Sequence, residues 1–298
     1  MFGLNFYEAC DLCDISATVR SRVVSDLSDI KDGQIILFKF DRTHYSLGKY
    51  LYYLFCSNNI LVLNPEFRDE YCPEFHDNVP FDLQDGFSES WPKGSKRIFS
   101  ALSNELFSQK IRLVIPTSGS TSIPKLICYS AACIESAASA IARSLTLEKT
   151  DVALGYLPLS YIFGLSVLHS HLASGSRYRL LLQNERMTQF LANETISHHY
   201  AVPSTLSALK KHASKIEFSG KMLAQAGGGI DFDTSCFWHS VLKVRGIEFV
   251  KMYGQTECGP RITCLRTNNL ADNDQLLGTV GTPLANVMCS ISNEDSEI

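Results

Sequence analysis

Met222-Leu223-Ala224-Gln225-Ala226 runs directly into Gly227-Gly228-Gly229, with Ile230-Asp231 after it. A short apolar run closed by glycines, with an aspartate at the start of a helical pattern, reads as strand, turn and helix entry. Phe249-Val250-Lys251-Met252 leads in the same way into Tyr253-Gly254-Gln255-Thr256-Glu257. Upstream, Leu113-Val114-Ile115 leads into Pro116-Thr117-Ser118-Gly119-Ser120-Thr121-Ser122-Ile123-Pro124-Lys125. Each loop follows the carboxyl end of a predicted strand, where ligands bind in open α/β sheets. Three such loops on one edge are expected to form one site.

Along the rest of the chain, short apolar or β-branched runs alternate with helical patterns, which predicts an α/β fold of largely parallel sheets flanked by helices. Strands are expected over Gln34–Phe40, Asn59–Leu63, Arg112–Ile115, Leu126–Tyr129, Val152–Leu157, Tyr178–Gln183, Tyr200–Val202, Met222–Ala226 and Glu248–Met252. Helices are expected over Tyr45–Cys56 and from Ala131 to about Leu145, and Pro65–Gly94 reads as a polar surface excursion. Val152–Ser176 carries no Asp, Glu, Lys or Arg, but its Pro, Gly, His and Ser residues interrupt the apolar run that a membrane span requires. It is expected to be a buried strand, a turn and a helix.

A chain of 298 residues that is 45% hydrophobic can bury a full core without staples. Its 27 basic and 31 acidic residues give a net charge of -4, with no basic stripe, which argues against a nucleic-acid partner. Ten cysteines show no disulfide rhythm; Cys10 and Cys13 form a lone C-x-x-C with no second pair at zinc spacing. Free thiols and the absence of a basic start followed by an apolar run point to a cytoplasmic location. His169 with His171, and His198 with His199, lack the spacing that sets two ligands on one helix face, and no G-x-S-x-G elbow marks a hydrolase.

The loops have parts suited to particular chemistry. In the first, small residues free backbone N–H groups to face an anion, the hydroxyls of Thr117, Ser118, Ser120 and Thr121 add donors, and Lys125 adds charge. It is not the usual nucleotide P-loop, because its lysine follows proline. The triple glycine lets a flat ligand approach bare backbone. Tyr253 offers an aromatic face beside the Thr256 hydroxyl and the Glu257 carboxylate, and carboxylates with phosphate oxygens hold Mg²⁺.

In this order the segments resemble the adenylate-forming superfamily: acyl-CoA synthetases, peptide-synthetase adenylation domains and firefly-type luciferases. TSGST-x-x-PK is similar to its phosphate loop. LPLSYIFGL (Leu157–Leu165), AVPS (Ala201–Ser204), AQAGGGI (Ala224–Ile230), MYGQTE (Met252–Glu257) and the turn TVGTPL (Thr279–Leu284) resemble its following motifs. Lys31–Pro65 resembles its first strand–helix–strand unit, so the likeness spans nearly the whole chain.

The resemblance implies the layered fold of the family's large N-terminal domain over residues 1–298. It also implies ATP-dependent activation of a fatty, aryl or amino acid to an acyl-adenylate with release of pyrophosphate, then transfer to coenzyme A or a phosphopantetheine carrier protein. Thr117, Ser118, Gly119, Ser120, Thr121 and Lys125 are expected at the β- and γ-phosphates. Gly227, Gly228 and Gly229 are expected beside adenine and the acyl pocket, with Tyr253 and Gly254 near adenine. Thr256 falls to the α-phosphate and Glu257 to Mg²⁺, so Thr256, Glu257 and Lys125 are the expected catalytic residues. Ser122 and Leu126 stand where the family's phosphate loop carries glycines, and Tyr161 stands where a histidine is common. No T-G-D segment follows Pro283, so a truncated chain without the C-terminal lid domain is expected, with Asn286–Ser292 as an edge strand. These departures also define an alternative, a non-catalytic nucleotide- or acyl-binding remnant of the same fold.

Overall fold

The computed structural model describes residues 1–63, 104–117, 126–270 and 273–290. The chain divides into two compact units, Met1–Glu135 with Pro158–Leu165, and Ser136–Leu157 with Ser166–Ile298. Among the described residues, no helix is long and apolar enough to cross a membrane.

The first unit opens with helices Phe6–Leu12 and Ala17–Leu27, which the periodicity does not announce. Both begin on a side-chain cap: Asn5 accepts from the Tyr7 and Glu8 N–H groups while Glu8 reaches back to the Asn5 N–H, and Ser16 accepts from Val19. These reciprocal bonds satisfy N–H groups that a helix start leaves orphaned. The unit's four-stranded sheet runs β1 (Ile35–Phe38), β2 (Ile60–Leu63), β3 (Ile111–Pro116), β4 (Leu126–Ser130). β1, β2 and β3 are parallel; β4 returns antiparallel to β3, with Pro116 opposite Leu126. Ile35, Ile60, Val62, Leu106, Ile111 and Val114 form its core. Arg112 turns its guanidinium to the carbonyls of Tyr53, Leu54, Ser57 and Asn59, closing the carboxyl end of helix His44–Cys56. A cation there answers both the open carbonyls and the negative end of the helix dipole.

The second unit holds a seven-stranded sheet: β5 (Val152–Gly155), β6 (Arg177–Leu180), β7 (His198–Ala201), β8 (Met222–Gln225), β9 (Glu248–Gln255), β10 (Gly259–Arg266) and β11 (Thr282–Pro283). The spatial order is β11-β10-β9-β8-β7-β5-β6. From β6 to β9 all neighbours are parallel, while β10 and β11 are antiparallel additions. Helices Pro203–Lys210 and Phe232–Lys243 place Leu206, Leu209, Trp238 and Leu242 against Ala201, Leu223 and Phe249. Helix Phe232–Lys243 starts at Asp231, whose carboxylate accepts from the Thr234 N–H, as a turn and helix entry require. Val152–Ser176 is a strand, a turn and the helix Ile162–Ser174.

Three expectations need correction. The three loops do not share one sheet edge, because β3 pairs with β2 and β4 in the four-stranded sheet while β8 and β9 belong to the seven-stranded one. β9 does not stop at Met252 but runs to Gln255, because β10 pairs with its far end. The described part of Asn286–Ser292 is a turn and irregular chain rather than a strand. Alternation alone forms no ladder without a neighbouring strand, and none among the described residues pairs with it.

Candidate functional site

The site rises from the carboxyl ends of β7, β8 and β9. These strands are in register, with Ala201 opposite Gln225 and Gln225 opposite Lys251. Val202–Pro203 and Gly227–Gly229, which follow β7 and β8, and Tyr253, in the part of β9 that runs on past Lys251, are therefore delivered to one edge. That edge also contains the sheet's switch in order, since the chain leaves β5 for β6 and returns across β5 to build β7. Such a reversal opens a crevice between diverging connections.

Gly227, Gly228 and Gly229 are exposed. Gly228 has φ +152°, and a Cβ there would lie 3.1 Å from Pro203 Cγ, so the position tolerates only glycine. A Cβ on Gly229 meets nothing within 4 Å, which leaves that face open to a ligand. Beneath the loop lies Gln225, 2% exposed, whose Nε2 donates to the Gly228 carbonyl at 2.7 Å. Sequence reasoning missed Gln225; the available signal was a lone polar side chain at the end of an otherwise apolar strand.

Tyr253, near the end of β9, is 38% exposed. Thr256, Glu257 and Cys258 form the turn into β10, which Gly259 enters at φ +115° opposite Gln255. Gln255 steadies the turn through Nε2, 3.0 Å from Cys258 Sγ. Glu257 is exposed at the tip, and its carboxylate makes no hydrogen bond or ion pair with the described residues. Gly254 has a packing reason of its own: a Cβ there would lie 2.3 Å from the Pro260 carbonyl oxygen, so β10 can approach only a glycine. Gly281 meets the same demand at φ +82°, where a Cβ would lie 2.1 Å from the Cys264 carbonyl oxygen, just before β11 joins β10.

Of the first loop, Thr117 follows β3 in the first unit and is half-buried. Ser118, Gly119, Ser120, Thr121, Ser122 and Lys125 lie outside the described residues, as does Pro65–Gly94. The first unit also contains a polar cavity of about 400 Å³ lined in part by Asn58, Arg112 and Glu135, with none of the candidate residues among its walls. Cys10 and Cys13 are buried; burial pushes the Cys10 thiol up to about 12 and raises Cys13 as well, the reverse of a reactive dithiol.

The histidines are structural. His171 bonds Ser176 Oγ through Nδ1 at 2.6 Å and Tyr200 OH through Nε2 at 2.8 Å. His198 Nδ1 lies 2.8 Å from Ser197 Oγ and 3.8 Å from Asp151 Oδ1. Burial holds His169 and His171 down to about 3 and His198 and His199 to about 4, so all four imidazoles are neutral. Asp151 is also buried, which would raise its carboxyl, but Lys221 at 2.7 Å and the Glu148 N–H hold it below the usual range.

These features define an α/β protein whose loops gather at the carboxyl edge of a mostly parallel sheet, and comparison gives the family. The model of the AMP-binding enzyme family matches residues 76–298, and the chain belongs to that family. Its fold is that of the N-terminal domain of adenylate-forming synthetases. Bacillus subtilis o-succinylbenzoate coenzyme A synthetase (MenE), solved with ATP and magnesium ion, superimposes with a TM-score of 0.67 at 19% identity, over 94% of this chain and 62% of that one. Escherichia coli MenE, bound to an analogue of OSB-AMS, gives 0.64 at 18% identity over 93% and 61%. VinN, in complex with L-aspartate, gives 0.64 at 18% over 90% and 74%. The chain thus spans about 61% of the length of MenE. No curated protein matches it.

Proposed function

We propose that this protein takes part in ATP-dependent activation of a carboxylic acid. The observation that carries this reading is the registered edge of β7, β8 and β9, which sets a bare glycine loop beside an exposed tyrosine and a turn bearing Thr256 and Glu257, in a chain of the AMP-binding family. The chemistry is attack of a carboxylate oxygen on the α-phosphorus of ATP. An acyl C–O–P linkage forms, the α–β phosphoanhydride breaks, and pyrophosphate leaves. A carboxylate resists acyl transfer because its charge is delocalised and its oxygen leaves poorly; the adenylate supplies a better leaving group.

The residues have positioning and charge-balancing tasks. The Tyr253 ring takes the adenine face, Gly227–Gly229 let the flat base and the acyl end approach backbone, and the Thr256 hydroxyl donates to the α-phosphate. Thr117 to Thr121 and Lys125 cradle the β- and γ-phosphates. Glu257 fits Mg²⁺, because a solvent-facing carboxylate with no partner among the described residues is the oxygen ligand this hard cation takes together with phosphate oxygens. When bound, the ion neutralises phosphate charge. The adenylated acid then passes to a thiol of coenzyme A or of a carrier protein.

The test is calorimetric titration of AMP and ATP with Mg²⁺, followed by a mass-spectrometric screen of fatty, aryl and amino acids for acyl-AMP. Saturable AMP binding and one acid giving acyl-AMP with pyrophosphate are expected. AMP binding without an adenylate from any acid would point to a nucleotide-binding remnant, and no binding of either nucleotide would defeat the proposal.

A further inference from the structure

The glycine loop that ends β8 is held by a side chain, and that side chain decides which way the loop's backbone groups face. Gln225 is the last residue of β8, 2% exposed, and its Nε2 donates to the Gly228 carbonyl oxygen at 2.7 Å. Pro203 also approaches the loop, with its Cγ 3.1 Å from where a Gly228 Cβ would be. Gly228 itself has φ +152°, a conformation closed to other residues. Without the clamp, a run of three glycines has many accessible conformations.

A trans peptide is planar, so the carbonyl of one residue and the N–H of the next point in opposite directions. With the Gly228 carbonyl drawn inward to Gln225, the Gly229 N–H points outward. Gly229 is exposed, a Cβ there meets nothing within 4 Å, and its N–H has no acceptor among the described residues. We propose that Gln225 is a positioning residue which, by clamping the Gly228 carbonyl, presents the Gly229 N–H as a fixed hydrogen-bond donor to an anionic oxygen of the ligand. The oxygen belongs to a phosphate or a carboxylate, both of which accept strongly from a backbone N–H. For its ligand the inference rests on the adenylation reading above; the clamp itself does not.

The experiment uses the ¹³C,¹⁵N-labelled chain and two variants, Gln225→Met, which keeps length without polarity, and Gln225→Leu, which removes the carboxamide donor at similar bulk. Without ligand, the wild-type Gln225 carboxamide protons are expected to exchange at least about tenfold more slowly than those of an exposed glutamine, as a buried hydrogen bond requires. In both variants the Gly228 and Gly229 resonances move while the melting midpoint stays within about 3 °C. Carboxamide protons that exchange as fast as exposed ones, or Gly228 and Gly229 resonances unmoved by both substitutions, overturn the clamp even if a variant folds poorly, because the first measurement needs only the wild type. AMP and benzoate are then titrated separately. A downfield shift of the wild-type Gly229 amide on AMP assigns phosphate and one on benzoate assigns carboxylate, and the matching ligand binds roughly five- to tenfold more weakly to Gln225→Met. Ligand bound by the wild type without moving the Gly229 amide, or held equally by the variant, overturns the donor assignment. If neither probe binds the wild type while the carboxamide is protected, the clamp stands and the donor assignment falls; the adenylation reading falls with it only if ATP with Mg²⁺ also fails to bind.

Discussion

Glycines at one edge serve two different masters, and substitution separates them. Gly254→Ala drives a Cβ to 2.3 Å from the Pro260 carbonyl oxygen, a backbone atom that cannot turn aside. It is expected to cost about 3 kcal/mol, lowering the melting midpoint by roughly 8 °C in a chain of this size. Gly229→Ala adds its methyl to open space at an ordinary φ and should leave the midpoint within about 1 °C, yet weaken AMP binding roughly tenfold by thickening the surface the ligand approaches. Equal melting losses in the two variants would show that Gly254 owes nothing to β10. Glu257→Gln carries the functional side: it removes charge from a solvent-facing tip, so folding is untouched, and kcat for adenylate formation is expected to fall far more than ATP affinity. Parent-like turnover at saturating Mg²⁺ excludes Glu257 as the ligand. At this scale the placement of Gly227–Gly229 past β8 and of Tyr253–Glu257 at the far end of β9 was legible, because glycine and small polar runs have few reasons to follow a buried strand. The packing role of Gly254 was not, because it depends on a neighbouring strand that shows no comparable signal.

That strand is β10, and its sequence explains why it escaped notice. GPRITCLR begins with Gly-Pro, which reads as a breaker, and carries Arg261 and Arg266, which read as solvated. Both arginines are instead held inside or against the sheet. Arg261 is buried, which pulls its guanidinium down to about 10. Arg266 forks onto Glu248 at the start of β9, with Nε 2.9 Å from each carboxylate oxygen and Nη2 closer still, and extends Nη1 to the Ser144 carbonyl and Thr146 Oγ1 at 3.1 Å. Charge on a strand thus marks a tie between elements that no period-2 rule detects. Glu248 is buried, so Glu248→Gln leaves a guanidinium facing an amide that answers only part of its fork, and should cost about 3 kcal/mol in urea unfolding. A loss below about 0.5 kcal/mol would place the pair among ordinary surface bridges. The short N-terminal helices were missed for the opposite reason. Their apolar faces are too brief to show a period, although Asn5 with Glu8 three residues on is a readable cap.

For the molecule, the four neutral histidines set the response to acid. An unfolded histidine titrates near 6.5, while these are held at about 3 to about 4, so between those values the unfolded chain binds more protons and stability falls as the pH falls. From pH 6.5 to 5.5 each contributes a loss of about 1 kcal/mol, or about 4 kcal/mol for the four, and Asp151, held low, extends the loss at still lower pH. Unfolding free energies by urea at pH 7.5, 6.5 and 5.5 should fall by about 1.4 kcal/mol over the first step and by about 4 kcal/mol over the second. No drop would mean that the imidazoles accept protons without leaving the core. The strand order has a further consequence, in time rather than energy. β9 and β10 meet across a three-residue turn, whereas β5 and β7 pair only after the chain has gone out through β6 and come back, with Ser197 N–H reaching the Val152 carbonyl at 3.0 Å. Contacts close in sequence form before those that must first close a long loop. In pulsed hydrogen exchange during refolding, amides of the β9–β10 hairpin are therefore expected to gain protection ahead of Ser197, and the reverse order would refute this. The turn that carries Glu257 is then among the earliest parts of the chain to be shaped, and the crevice at the switch in strand order among the last to close.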